Sequence, residues 1–167
     1  SNLLGDGFMS KSNNSLVVKS GDNVAVDYVG TLDNGTVFDT SIKEVGEKAG
    51  MKRGSYDWLE FTAGAGQMIK GFDDAVIGMK EGEEKNVKLP PSQAYGEKSA
   101  MKILEIPLTS IQTDNQTVKV GDSIMSQAGP GVITAITGGN ATIDFNPPLA
   151  GQTLNFKIIL KKITRGK

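Results

Sequence analysis

The first clear alternation of apolar and polar positions is the run 24–32, where Val24, Val26, Tyr28 and Leu32 share one face, the pattern of a half-buried β-strand. Asp33-Asn34-Gly35 follows directly. An Asn-Gly pair supplies the two positive φ angles of a tight hairpin turn, so residues 36–40 are predicted to return antiparallel. The stretch 41–57 is polar and Gly-punctuated; it reads as a loop or bulge with a short helical turn at 42–49. Residues 58–62 alternate again as a strand. After Gly64 and Gly66, the residues Phe72, Ala75, Val76 and Met79 fall at i, i+3, i+4 and i+7, which predicts a helix over 71–81. Asp73 and Asp74 at its start, Lys80 in its last turn and Gly82 as C-cap agree with those limits. Residues 85–89 form a strand stopped by Pro90-Pro91, and Leu154, Phe156, Ile158 and Leu160 alternate with Asn155, Lys157 and Ile159 as a final strand.

Between residues 98 and 146 the texture changes. Four short β-like runs, 101–106, 118–124, 132–136 and 141–145, are separated by Gly and polar turns, which predicts a small separate β unit. Residues 1–15 are rich in Gly, Ser and Asn, lack a hydrophobic period, and read as a flexible linker or frayed end. The expected fold is therefore α+β: an antiparallel sheet packed on one helix over 16–97 and 146–167, interrupted by a mainly-β domain over 98–145.

Composition narrows the chemistry. A chain of 167 residues can bury a real core without staples. It has no Cys and no His, which removes disulfides, thiolate or imidazole metal sites and Ser-His-Asp triads. A formal net charge of −1 argues against nucleic acid as a partner. The basic tail Lys161, Lys162, Arg165 and Lys167 reads as a solvated terminus. No apolar run approaches the ~18 residues of a membrane span, and the start lacks the charged-then-apolar layout of a signal peptide. Ser1-Asn2 resembles a tag scar and Leu3 is no natural start, so trimming of an upstream segment is expected. Asn-x-Ser/Thr sequons at Asn13, Asn34, Asn115 and Asn140 hint at an exterior location, and the compartment stays open between cytoplasmic and exported.

Carboxylates are the usual candidates once His and Cys are gone. Asp73, Asp74, Glu81, Glu83 and Glu84 sit at helix ends or turns, where dipole and solvation account for them. Asp39 differs: it follows Phe38 at the end of a hairpin strand, and a carboxylate beside a buried aromatic needs a partner. Gly64-Ala65-Gly66-Gln67 lacks the Gly-Lys-Ser/Thr ending of a phosphate loop and reads as a turn into the helix. No nucleotide is implied.

Taken in order, these segments resemble one family. Val26-Asp27-Tyr28-Val29-Gly30, then Gly35-Thr36-Val37-Phe38-Asp39-Thr40-Ser41, then Gly64 to Gln67-Met68-Ile69-Lys70-Gly71-Phe72 with Gly78-Met79, then Pro91-Ser92-Gln93-Ala94-Tyr95-Gly96 are similar to the successive motifs of FKBP-type peptidyl-prolyl isomerases. Leu149-Ala150-Gly151-Gln152-Thr153-Leu154-Asn155-Phe156 resembles that family's closing strand. About fifty residues lie between Gly96 and Pro147, as in the SlyD-like and archaeal short-type branch, where a β-rich insert-in-flap domain replaces a short flap. Ile106-Pro107-Leu108-Thr109-Ser110-Ile111 and Asp144-Phe145-Asn146-Pro147-Pro148-Leu149-Ala150-Gly151 are similar to that branch's entry and exit sequences, and the bulge at 44–56 is similar to archaeal members.

The resemblance implies an FKBP-like sheet wrapped on one helix, and a slot for proline-containing chains lined by Tyr28, Phe38, Asp39, Leu59, Met68, Ile69, Phe72, Tyr95 and Phe156. Phe72 would be the floor, Tyr28 and Phe156 walls, and Asp39 would face the twisted amide. The Tyr95 hydroxyl and the Ile69 N–H would bond peptide carbonyls. Plain core packing is the alternative for each apolar member. Phe72 stands where the family often has Trp, and Leu59 where it often has an aromatic, which weakens the expectation of macrolide binding. No cofactor and no metal are implied, since the His-rich tail of some SlyD-like proteins is missing. The insert would hold unfolded chains through some of Met101, Ile103, Leu104, Ile106, Leu108, Ile124, Met125, Ile133 and Ile136, or these would form its own core. The expected protein is a monomeric isomerase with an attached chaperone domain. The competing reading is a non-catalytic peptide-binding scaffold, against which the presence of both Asp39 and Tyr95 argues.

Overall fold

The structure is a computed structural model that describes residues 16–111 and 117–166. The predicted linker over 1–15 and the sequons at Asn13 and Asn115 lie outside the described residues. In chain order the elements are β1 (Asn23–Leu32), β2 (Val37–Thr40), α1 (Lys43–Lys48), β3 (Leu59–Thr62), α2 (Lys70–Ala75), β4 (Glu84–Leu89), β5 (Ile103–Pro107), β6 (Ser123–Ser126), β7 (Gly129–Thr137), β8 (Asn140–Asp144) and β9 (Leu154–Thr164). Short 3-10 turns occur at Pro91–Gln93, Ala100–Lys102 and Leu108–Ser110. The chain divides into two compact units: one runs to Tyr95 and resumes at Gln152, and the other is Gly96–Gly151.

In the first unit every strand pairing is antiparallel. β9 lies along the whole of β1, from Asn23 opposite Thr164 to Leu32 opposite Leu154, and β4 takes the far side of β9. With one edge of β1 filled end to end, β3 and β2 must share the other: β3 pairs residues 23–26 and β2 pairs residues 29–31. The alternation read from the sequence becomes the buried face. Val24, Val26, Leu154, Phe156, Ile158 and Leu160 pack with Phe61 of β3, Phe72 of α2, and Val76 and Met79 beyond it. Each such side chain contributes roughly 1.5–3 kcal/mol by leaving water.

Two local expectations change. The hairpin closes through a three-residue loop rather than a two-residue turn: Leu32 N–H donates to Thr36 C=O, Gly35 N–H donates back to Leu32 C=O, and Gly35 is left-handed at φ +90°. The Asn34 side chain accepts from the Thr36 N–H at 2.9 Å, which stabilises this longer form. The helix is also shorter than 71–81, ending at Ala75. Tertiary pairing overrides its period here. Val18 and residues 78–79 exchange backbone hydrogen bonds, Val17 bridges Lys80, and Gly78 turns the chain at φ +87°. Met79 still reaches the core, but from beyond the end of the helix, and Gly82 belongs to the turn before β4 rather than to a helix cap.

The second unit is a four-stranded antiparallel sheet in the order β5-β8-β7-β6. Ile133, Ala141 and Ile143 are its buried centre, with Ile106, Leu108, Ile111, Val118, Ile124, Ile136 and Phe145 packed against them. Met101, Ile103, Leu104, Met125 and Val132 are exposed. The run predicted at 118–124 becomes strand only from Ser123. Residues 119–122 are instead a turn in which Asp122 accepts from the Lys119 N–H at 2.9 Å and Gly121 is left-handed. The same Val-Lys-x-Gly-Asp string precedes β1, where Asp22 accepts from the Lys19 N–H at 2.8 Å and Gly21 is left-handed. One local device therefore starts a strand in each unit.

Gly30 lies where β1 passes between two rings. A Cβ there would stand 2.6 Å from Phe38 Cζ and 2.9 Å from Phe156 Cε1. Gly30→Ala is expected to cost about 1–3 kcal/mol by overpacking, read as a lower urea midpoint; an unchanged midpoint would mean that the rings part freely.

Candidate functional site

Four rings converge where β1, β2, β9 and α2 meet. The register sets Gly30 opposite Phe156 and, on the other edge, opposite Asp39, so nothing but hydrogen separates Phe38 from Phe156. Those two rings meet edge to face at 5.6 Å. α2 presents Phe72 from its first turn, and the ring stands 5.0 Å from Phe156 and 5.9 Å from Tyr28, close to perpendicular to both. Phe61 backs it at 5.8 Å. Edge-to-face pairs add about 0.5–1.5 kcal/mol each beyond area burial. Phe72 and Phe156 are buried, while Tyr28, Phe38, Leu59, Met68 and Ile69 are half-buried around them. That gradient is what an apolar floor with a partly wet rim requires.

Asp39 occupies the rim. Its Oδ2 accepts the Tyr28 hydroxyl at 2.8 Å, and its Oδ1 accepts the Thr40 N–H at 2.9 Å and the Arg53 guanidinium. Arg53 also donates to the Thr40 carbonyl at 2.7 Å, and its guanidinium lies 5.2 Å above the Tyr56 ring. The carboxylate thus has the partner the sequence required, and its side chain stays 40% exposed. Arg53 was not legible beforehand. It is one of two arginines in the chain and lies in the polar stretch after the hairpin; that rarity was the available signal, since no periodicity marks it. Its hydrogen bond to Asp39 holds the guanidinium charge still more firmly than usual.

Behind the rim, two hydroxyls fix the Tyr28 backbone from either side. Thr40 Oγ1 donates to the Tyr28 carbonyl at 2.7 Å; Ser41 Oγ accepts the Tyr28 N–H at 2.8 Å and donates to Asp27 at 2.7 Å. Both residues are buried, so these bonds are shielded from water.

The remaining candidates are placed by chain and register. Leu59 pairs with Val26 and so shares the face of Tyr28. Met68 and Ile69 lead directly into α2, where the Ile69 carbonyl accepts from Phe72 and Asp73. The Ile69 N–H has no protein acceptor among the described residues. Tyr95 stands apart: it follows the turn at Pro91–Gln93, is 47% exposed, and among the described residues no ring pair or hydrogen bond joins it to the cluster. Among the described residues no group of His, Cys, Asp and Glu side chains could hold a metal ion, and no helix is long and apolar enough to cross a membrane.

Residues 15–161 match the family model of FKBP-type peptidyl-prolyl cis-trans isomerases. The chain belongs to that family. It is 38% identical over 149 residues to a short-type peptidyl-prolyl cis-trans isomerase of Methanocaldococcus jannaschii, covering 88% of this chain and 94% of that protein. It is 34% identical over 110 residues to the isomerase SlyD of Treponema pallidum, covering 63% of this chain and 61% of that one. A relative from Dictyostelium discoideum, named FK506-binding protein 2, is 43% identical over 82 residues, or 49% of this chain and 53% of that one. As an FKBP-type peptidyl-prolyl cis-trans isomerase, the protein acts on proline-containing polypeptides.

Burial, together with the bond to Asp39 and the repulsion of its charge, raises the Tyr28 phenol above its ordinary value. The folded isomerase therefore keeps a proton that the unfolded chain releases. This contribution to stability is full below the ordinary phenol value of about 10 and is lost as pH rises beyond it. In an alkaline absorbance titration of the three tyrosines, Tyr28→Phe is expected to remove the last phenolate step; an unaltered curve would overturn this assignment.

Proposed function

We propose that proline isomerisation takes place over the Phe72 and Phe156 floor, with Tyr28 and Phe38 as walls and Leu59, Met68 and Ile69 at the margin. The barrier is amide resonance, ~18–20 kcal/mol, and lowering it needs no nucleophile, metal or proton acceptor. The twisted amide has lost that resonance, so an apolar surface that holds the proline ring and a fixed charge beside the carbonyl carbon both favour it over the planar forms. The observation that carries this reading is the chain Tyr28–Asp39–Arg53 set at the edge of two buried rings. Asp39 is oriented on three sides, so its field is in place before substrate arrives. The Ile69 N–H is available to a peptide carbonyl, and the exposed Tyr95 hydroxyl to a second.

Asp39→Ala is expected to lower kcat/KM on a proline tetrapeptide at least about tenfold, with a small change in melting temperature because the side chain is half-exposed. An unchanged rate in Asp39→Ala and in Phe72→Leu together would sink this assignment.

The segment 98–145 is proposed as an insert-in-flap domain that holds unfolded chains before isomerisation. Support comes from an exposed face of its sheet. Cross-strand partners place Ile103, Asp144, Val132 and Ser123 in one row. Ile103 and Val132 are exposed, as are Met101 (88%) and Met125 (76%). A cleft of about 660 Å³, lined by Pro130, Val132, Phe145, Pro147 and Pro148 with Lys98 at its edge, opens within this unit. Exposed methionines suit a surface that must accept varied partners. Holding a chain near the isomerase unit raises its effective concentration there. The protein is proposed to work as a monomer without nucleic acid, since each unit completes its own core and the net charge is −1.

Met125→Glu with Val132→Glu is expected to slow proline-limited refolding of a protein client while leaving tetrapeptide turnover within about twofold. Equal losses in both assays would refute this division of labour.

A further inference from the structure

Asp73 is adjacent to Phe72 in α2, in the first turn, where a carboxylate is ordinarily solvated and favourable to the helix dipole. It is instead only 5% exposed. Its Oδ1 accepts the Gly64 N–H at 2.7 Å and its Oδ2 the Gly66 N–H at 2.9 Å. A buried charge is costly unless hydrogen-bonded, and two N–H donors on separate oxygens meet that need. The donors belong to a tight loop: Gly64 and Gly66 are both left-handed, at φ +78° and +77°, and the Ala65 N–H between them donates to the Thr62 carbonyl at 3.2 Å. A second tie, Gln67 Oε1 accepting the Thr62 N–H at 2.8 Å, closes the loop on its own strand but not on the helix. Among the described residues, only Asp73 hydrogen-bonds residues 64–66 to the element that carries Phe72. The next residues after the loop are Met68 and Ile69.

We infer that Asp73 is a positioning residue of the isomerase site: its carboxylate clamps residues 64–66 to α2 and so sets where the Met68 side chain and the Ile69 N–H stand relative to the Phe72 floor. This rests on the proposed place of Met68 and Ile69 at the substrate's margin. Asp73 touches no substrate; removing it loosens the margin at Met68 and Ile69 and leaves Asp39, Tyr28 and the floor in place. Binding is therefore lost before the chemical step.

The test is Asp73→Asn, which keeps the shape but turns an amide NH₂ toward one of the two donors. Hydrogen exchange at Gly64 and Gly66 is expected to quicken about tenfold or more while β1 and β9 amides hold their rates, and KM for a proline tetrapeptide to rise about fivefold or more with kcat within about twofold. Asp73→Glu, which restores the carboxylate, is expected to recover part of the loss. Unquickened loop amides overturn the clamp. Quickened amides with unchanged KM, when Met68→Ala does raise KM, overturn the positioning role and leave the site reading standing. Unchanged KM in both variants overturns the site reading and this inference with it. Should Asp73→Asn not fold, the unaltered protein decides: Gly64 and Gly66 amides must exchange about a hundredfold more slowly than that of Gly54, which has no acceptor among the described residues, and equal rates overturn the clamp.

Discussion

The pairing of β1 with β9 is the constraint on which the rest of the first unit depends. It runs from Asn23 opposite Thr164 to Leu32 opposite Leu154, and so joins an early strand to the last one. By filling one edge of β1 completely, it forces β2 and β3 to share the other, which sets them one after the other along β1. It also brings Phe156 opposite Gly30, where the missing side chain leaves room for Phe38 to meet it. Since these contacts are remote in sequence, their loop-closure entropy must be offset by the whole sheet at once. The site is assembled by that sheet rather than by any one segment.

Within the site the apolar and polar parts have separate origins. The rings come from alternating positions on strands and from one helical turn, and their burial supplies the stability. The rim comes from loops and strand ends: Asp39 at the end of β2, Arg53 from the bulge, Thr40 and Ser41 behind them. A carboxylate tied to a phenol, a guanidinium and a backbone amide is held in one orientation. The absence of His and Cys, which removes most catalytic chemistry, is no handicap to a reaction that makes and breaks only resonance.

The second unit divides its apolar residues by face. β7 and β8 put Ile133, Ala141 and Ile143 inward, whereas Val132 falls in the outward row with Ile103, next to Asp144. Alternation alone predicts such a split but not its sense, because a strand with apolar residues at both parities, such as residues 132–136, has no unique inward side. Ile106, Leu108, Ile124 and Ile136 went to the core; Met101, Ile103, Leu104 and Met125 did not.

The sequence by itself determined what depends on neighbours a few residues apart. Period-2 runs located β1, β3, β4 and β9, Asn34-Gly35 located the hairpin, and the absence of His and Cys confined the chemistry. Ordered motifs around Tyr28, Asp39 and Phe72 identified the family. What only the tertiary structure decided depends on groups brought together from afar. α2 stops at Ala75, although its apolar period continues, because residues 78–80 gain hydrogen bonds from residues 17–18 that a helix could not offer. Arg53 reaches Asp39 across 14 positions that include α1, and Asp73 leaves solvent to hold two glycine amides. Side-chain periodicity reports which face is buried; it carries no information about which loop will deliver a charge to a given carboxylate, because that depends on where folded backbone, not local pattern, places the donor.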